Sequence, residues 1–166
     1  MNTDTKVILG AIGASLLIVL GAVFFLGNNQ GPKRSDLGSA SLALDQTKAD
    51  LGDMKVDEER AATFTITNTS TSSVLRIWNV ATSCDCTSAT ITIGGQETGE
   101  FNMTMHMPAN LKNWLGEVPA GQKALLKVIY RPKVMPVTGP VTRQVSFSTN
   151  DPNNTEVEVS IKANVL

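Results

Sequence analysis

From Leu51 onward the apolar residues of this chain recur at every second position, which is the spacing of a strand with one buried face. In "ATFTITNTS", Ala62, Phe64 and Ile66 alternate with Thr63, Thr65 and Thr67 before Asn68 and the residues after it break the run. "SVLRIWNVA" places Leu75 and Ile77 on one face and Arg76 and Trp78 on the other, and "ATITI" alternates Ala89, Ile91 and Ile93 with threonines up to Gly94-Gly95. "ALLKVIYRP" is a further strand ended by Pro132. "VTRQVSFST" sends Val141, Val145 and Phe147 inward, and "TEVEVSIKANVL" does the same with Val157, Val159, Ile161, Ala163 and Val165. The turn residues of "NDPNN", Asn150 to Asn154, join those last two strands as a hairpin. About seven short strands over roughly 120 residues, with no amphipathic helix among them, predict an all-β antiparallel two-sheet sandwich. The earlier stretch "SLALDQTKAD" fits either a short helix or a first irregular strand.

Ahead of the strands lies an uncharged apolar run of 20 residues, Val7 to Leu26. At about 1.5 Å per residue a helix of that length spans the roughly 30 Å hydrocarbon core of a bilayer, so one N-terminal transmembrane helix is expected at 7–26. The exit "FFLGNNQGPKR" offers no small-x-small cleavage site, which reads as an uncleaved signal-anchor after a short head at 1–6. Residues 27–42, rich in Gly, Asn and Ser, read as a flexible tether, and 43–166 as the sandwich with an insertion at about 94–117. Lys6 precedes the run while Lys33 and Arg34 follow it, a count that slightly disfavours an exported C-terminus. A short charged head leading straight into the run is nevertheless the build of a signal-anchor, and the expectation is a domain outside the cytoplasm. The partner of residues 7–26 is then the lipid bilayer. The net charge of -1 supplies no electropositive field, so nucleic acid is not an expected partner.

Both cysteines sit in "VATSCDCTSA" as Cys84 and Cys86, with Asp85 between them. Two residues apart on a strand they would share a face, with Cα atoms about 6.5 to 7 Å apart, at or past the limit of an unstrained disulfide. A local bridge needs a tight turn at this point. Two parallel thiols can alternatively converge on a soft metal, take part in redox chemistry, or simply pack. The insertion "GEFNMTMHMPANLKNW" offers co-ligands: Met103, Met105 and Met107 on one face of an extended segment, with His106, the sole histidine, on the other. Thioether and thiolate sulfur with imidazole favour Cu(I), so a copper site would use Cys84, Cys86, Met105, His106 and Met107, with Met103 in reserve. The bland readings are an apolar strand face for the methionines and a surface role for the histidine. Trp114 either joins Arg76 and Trp78 in a recognition patch or anchors the insertion.

"LGDM" at 51–54, "ITNTS" at 66–70, "TSCDCT" at 82–87, "STNDP" at 148–152 and "IKANVL" at 161–166 fall in the order and spacing of a bacterial family of unknown function. The chain resembles that family from Leu51 to Leu166 apart from the insertion. The resemblance implies an envelope protein with an immunoglobulin-like sandwich related to the major-sperm-protein and ciliary ASH domains. The family motif Ser-Cys-Gly-Cys-Thr maps onto Ser83, Cys84, Asp85, Cys86 and Thr87, with Asp85 in place of the glycine. It implies no activity. No triad or paired-carboxylate spacing suggests an enzyme. The expected role is a membrane-anchored extracytoplasmic binding or structural module facing an envelope protein, with copper handling or a thiol–disulfide element as alternatives.

Overall fold

Period-two alternation becomes burial in β3 (Arg60–Asn68), β9 (Gly139–Thr149) and β10 (Glu156–Val165): Phe64 and Ile66, Val145 and Phe147, and Val159 and Ile161 are all buried, with solvent-facing neighbours between them. The computed structural model describes residues 38–166, together with Ser15. Apart from Ser15, the expected anchor at 7–26 lies outside the described residues, as does most of the expected tether. Among the described residues no helix is long and apolar enough to cross a membrane.

The remaining elements are β1 (Leu42–Leu44), β2 (Lys48–Met54), β4 (Leu75–Thr82), β5 (Thr87–Ile93), β6 (Gln96–Glu97), the short helix α1 (Ala109–Lys112), β7 (Leu115–Val118) and β8 (Lys123–Tyr130). They form two sheets of five strands, ordered β1-β3-β8-β5-β6 and β2-β10-β9-β4-β7. The core lies between them, where Phe64, Leu126 and Ile91 of the first sheet share one buried cluster with Phe147, Ile161 and Ile77 of the second. All neighbouring strands are antiparallel except β2 and β10, which run parallel. That pair departs from the all-antiparallel expectation. "SLALDQTKAD" is no helix: it supplies β1 to one sheet and the start of β2 to the other. The switch occurs at Asp45, whose carboxylate accepts the N–H groups of Gln46 and Thr65 at 2.8 Å each.

Two local devices set the outline of the sheets. Gly94 and Gly95, both at positive φ, form the two-residue hairpin between β5 and β6, where only glycine turns so tightly at no steric cost. Asn79, at φ 52°, sits in a bulge of β4, so burial steps from Leu75 and Ile77 to Val80 and Thr82 across one extra residue.

Strand register defines two ends. The chain enters at the end carrying Asn68, Lys123 and Asn150, where the Ala40 N–H donates to the Asn150 carbonyl. Thr87, Tyr130 and Arg60 pair at the other end. The steps along β8 from Lys123 to Tyr130, at about 3.3 Å each, put the two ends roughly 23 Å apart. Buried polar side chains close the entry end. Asn68 donates to the carbonyls of Ser73 and Val118, and Asn150 receives the Arg76 N–H while donating to the Val74 carbonyl.

Candidate functional site

At the far end β4 stops at Thr82 and β5 begins at Thr87, and residues 83–86 between them form a tight turn instead of strand. The Thr87 N–H closes that turn on the Cys84 carbonyl at 3.1 Å. Turning the chain draws the Cα atoms of Cys84 and Cys86 to 5.3 Å, inside the range a bridge accepts, and the two cysteines are disulfide-bonded. The extended geometry anticipated from spacing alone is therefore replaced by the turn that a local bridge requires.

Neighbouring strands clamp this turn. The Ser83 N–H donates to the Gln144 carbonyl at 2.9 Å and the Gln144 N–H returns to Ser83 Oγ at 3.0 Å. The Arg131 N–H donates to the Cys86 carbonyl at 2.8 Å, and Thr82 Oγ1 to the Cys84 carbonyl at 3.0 Å. The Arg131 side chain braces the same corner, donating to both carboxylate oxygens of Glu100, to Glu59 and to Ser88 Oγ. Its bond to Arg131 holds the Glu100 carboxyl below the usual carboxylate range, and Glu100, ahead of Glu59, holds the guanidinium protonated well above any working pH.

The two sulfurs differ in surroundings. Cys86 is 1% exposed, whereas Cys84 is half-buried. Arg143 Nε donates to Cys86 Sγ at 3.1 Å, and its guanidinium carbon lies over the Tyr130 ring, 5.7 Å from the centroid. Bridged sulfurs carry no hydrogen, so the Thr87 hydroxyl donates toward them, at 3.6 Å from Cys84 Sγ and 3.9 Å from Cys86 Sγ. A cation and a hydroxyl thus face sulfur at a protected place, while Cys84, the partner residue, is only partly buried.

The insertion folds differently from the extended segment anticipated. Residues 103–106 make a turn, closed by the His106 N–H on the Met103 carbonyl at 3.0 Å, and Asn102 Oδ1 receives the Met103 N–H at 2.7 Å. With the alternation broken, the three methionines do not share a face. Met107 is buried in the core, Met105 is 72% exposed, and Met103 is intermediate. The turn brings His106 to Asp85, the residue between the two cysteines: its Nδ1 lies 2.8 and 2.9 Å from the two carboxylate oxygens. Among the described residues no group of three or more His, Cys, Asp or Glu is placed to hold a metal ion. While the bridge is intact neither sulfur is a thiolate, so the copper reading requires the reduced pair. Trp114 anchors the insertion by packing edge-on against Phe101, with ring centroids 5.2 Å apart. Gly116 makes room for it, since a Cβ there would overlap the Trp114 ring and lie 2.9 Å from Ile93 Cδ1.

The sequence pattern of DUF1573, a protein family of unknown function, matches residues 42–113. That stretch runs from β1 through the cysteine turn to the end of α1. No curated protein matches the chain. A crystal structure of a protein of unknown function from Porphyromonas gingivalis W83 superposes with a TM-score of 0.55 at 21% identity, over 77% of this chain and 48% of that one. The chain therefore spans about half the length of that protein. A family 123 glycoside hydrolase from Clostridium perfringens gives 0.52 at 6% identity, over 78% of this chain and 27% of the enzyme. An ASH/PapD-like domain of human CEP192 gives 0.49 at 8% identity, over 83% and 91% of the two chains. The two superpositions above 0.5 show a shared sandwich fold, and at identities this low they say nothing about activity.

Arg143 is the site residue that sequence reading passed over, although it left a signal. It falls on the inward parity of β9, between Val141 and Val145, where a charge needs a partner. Tyr130 likewise ends the inward series Ala124, Leu126, Val128, and among the described residues its buried hydroxyl has no hydrogen-bond partner. Tyr130→Phe should therefore stabilise the fold by about 1 kcal/mol, because it removes an unsatisfied hydroxyl and keeps the ring under Arg143. A urea midpoint lower than wild type would contradict that assignment.

Proposed function

We propose that this chain is a membrane-tethered, extracytoplasmic sandwich domain whose working group is the Cys84–Cys86 pair, a thiol–disulfide element presented to an envelope partner. The observation that carries this reading is the guanidinium of Arg143 on the sulfur of buried Cys86, beside a half-buried Cys84. Two further considerations support it. A bridge closing a loop of three residues restrains the unfolded chain by only about 1.6 kcal/mol, less than half the value for a hundred-residue loop, so stabilisation is a weak reason for it. Disulfides also persist in oxidising compartments, in keeping with export behind the apolar run at 7–26.

The asymmetry of the sulfurs gives a direction of attack. An incoming thiolate reaches Cys84 Sγ, a bond forms between the two sulfurs, and the Cys84–Cys86 bond breaks. Cys86 Sγ leaves as a thiolate, and Arg143 stabilises the charge where it appears. A second thiolate then displaces Cys84, so that two thiols become one disulfide and the chain gains two electrons and two protons.

Dithiothreitol should reduce the bridge, seen as a mass gain of two hydrogens, and Arg143→Gln should slow that reduction about tenfold by removing the cation at the leaving sulfur. A bridge that resists dithiothreitol in the folded protein, or a rate unchanged in Arg143→Gln, would overturn the reading.

A second reading uses the reduced pair. Two thiolates are soft ligands for Cu(I), and a histidine held through Nδ1 by a carboxylate, as Asp85 holds His106, is oriented as ligating histidines commonly are. Reduced protein would take up one equivalent of Cu(I) against a competing chelator, and the oxidised form none. Equal uptake by both forms would remove the cysteines from any such site.

A further inference from the structure

The side chains around the bridge say what kind of thiol it meets. Two segments lie at the cysteine turn's end of the sandwich, one bonded to the turn and the other continuing from a residue that is. Residues 102–108 are held by His106 on Asp85, and residues 132–138 follow directly from Arg131, whose N–H holds the Cys86 carbonyl. Among the described residues seven large hydrophobic side chains are exposed, and four of them, Met105, Val134, Met135 and Val137, stand on these two loops. A fold that buries Phe64, Phe101 and Phe147 completely has left these outside.

The same loops are nearly uncharged. Within 102–108 the only ionisable side chain is His106, and within 132–138 it is Lys133. Two of the four exposed residues are methionines, whose unbranched, polarisable side chains adapt to partners of differing shape. The chain enters the sandwich at the opposite end, roughly 23 Å away.

Resting on the thiol–disulfide reading above, we infer that this end of the sandwich is a docking surface for an extended, uncharged, apolar stretch of another polypeptide that carries a cysteine. The apolar rim seats the residues on either side of that cysteine and delivers its thiolate to Cys84 Sγ. The product is a mixed disulfide between the client cysteine and Cys84, with Cys86 released as the thiolate beside Arg143. A small thiol without apolar flanks gains nothing from this rim and reacts at the unassisted rate.

The test uses the full chain in its oxidised form, reconstituted in nanodiscs, with three thiols: glutathione, a peptide with leucine and phenylalanine flanking one cysteine, and the same peptide with serine and glutamate as flanks. The rate is read as alkylatable Cys86 released. The apolar peptide should react about tenfold faster than the other two, the gain expected from partly burying one or two apolar side chains. Met105→Ser/Met135→Ser, at exposed positions where folding is not at stake, should abolish that preference and leave the glutathione rate unchanged. Equal rates for the three thiols would overturn the docking surface while leaving the redox reading intact. A preference that survives the double substitution overturns it as well, as does a disulfide-linked dimer of this chain forming ahead of any peptide adduct. No release of thiol by any reagent, dithiothreitol included, would end both.

Discussion

Truncating Phe101 to alanine should lower the unfolding free energy by about 3–5 kcal/mol, the cost of deleting a fully buried aromatic ring whose surroundings close only partly over the gap. Phe101 is completely buried and joins β5 through an isolated bridge: the Ala89 N–H donates to the Phe101 carbonyl at 3.0 Å and the Phe101 N–H returns at 2.8 Å. Its ring also carries Trp114, so the substitution removes the support of the tryptophan that anchors the insertion. Typical domains are stable by only about 5–15 kcal/mol, and a loss of this size displaces the urea midpoint far outside experimental scatter. Both tryptophans of the chain, Trp78 and Trp114, lie in the sandwich, which makes their fluorescence a direct readout of the transition in the full chain. The emission of the folded variant should also shift to the red as Trp114 gains water. A loss below about 1 kcal/mol would show that the insertion contributes little to the fold and that Phe101 is not its peg.

The contrast between Phe101 and Phe64 also marks how far the sequence could be read. Phe64 belongs to an alternating run, and alternation is a local property: β3, β9 and β10 and the hairpin at Asn150 to Asn154 are visible without knowing what they pair with. Phe101 heads an alternating run with Met103, Met105 and Met107 that does not persist as a strand, and what buries it is a bridge to Ala89 that no local pattern announces. The parallel pairing of β2 with β10 is invisible for the same reason, since Ser160 meets Lys48 across most of the domain. The cysteines are legible as a pair, with a local bridge as one of several readings. Spacing cannot choose among them, because it does not show the turn that the Thr87 N–H closes on Cys84. Asn102 and the His106 N–H likewise bend the methionine run out of any shared face. His106 still reaches the cysteine turn, through the carboxylate of Asp85 between the two cysteines. Arg143 could have been found by asking why a charge occupies an inward position of β9.

Asp151 carries the other large expectation, and here the pH dependence has a definite sign. The residue is 1% exposed in the turn between β9 and β10, where Oδ2 accepts the Leu42 N–H and Asn154 Nδ2, both at 2.9 Å, and Oδ1 accepts the Asn153 N–H at 2.8 Å. One carboxylate thereby fastens β1 to a turn more than a hundred residues later in the chain. Asp151→Ala strands these donors at a buried site and should cost about 3 kcal/mol at neutral pH. Burial alone would push the carboxyl pKa up, but the donors of Asn154, Leu42 and Asn153 outweigh it, and the group titrates below its ordinary value. A folded-state pKa below the unfolded one means that the native state binds the proton less readily than the unfolded chain does. The contribution is therefore fully present above the ordinary carboxylate value of about 3.9 and is lost as pH falls through the depressed one. The stability difference between wild type and Asp151→Asn, which has no proton to gain, should be constant from neutral pH down to about 5 and shrink steadily below about 4. Urea midpoints across that range decide it: a difference that grows on acidification would mean that the buried carboxyl is protonated in the native state and that the turn is held by something else.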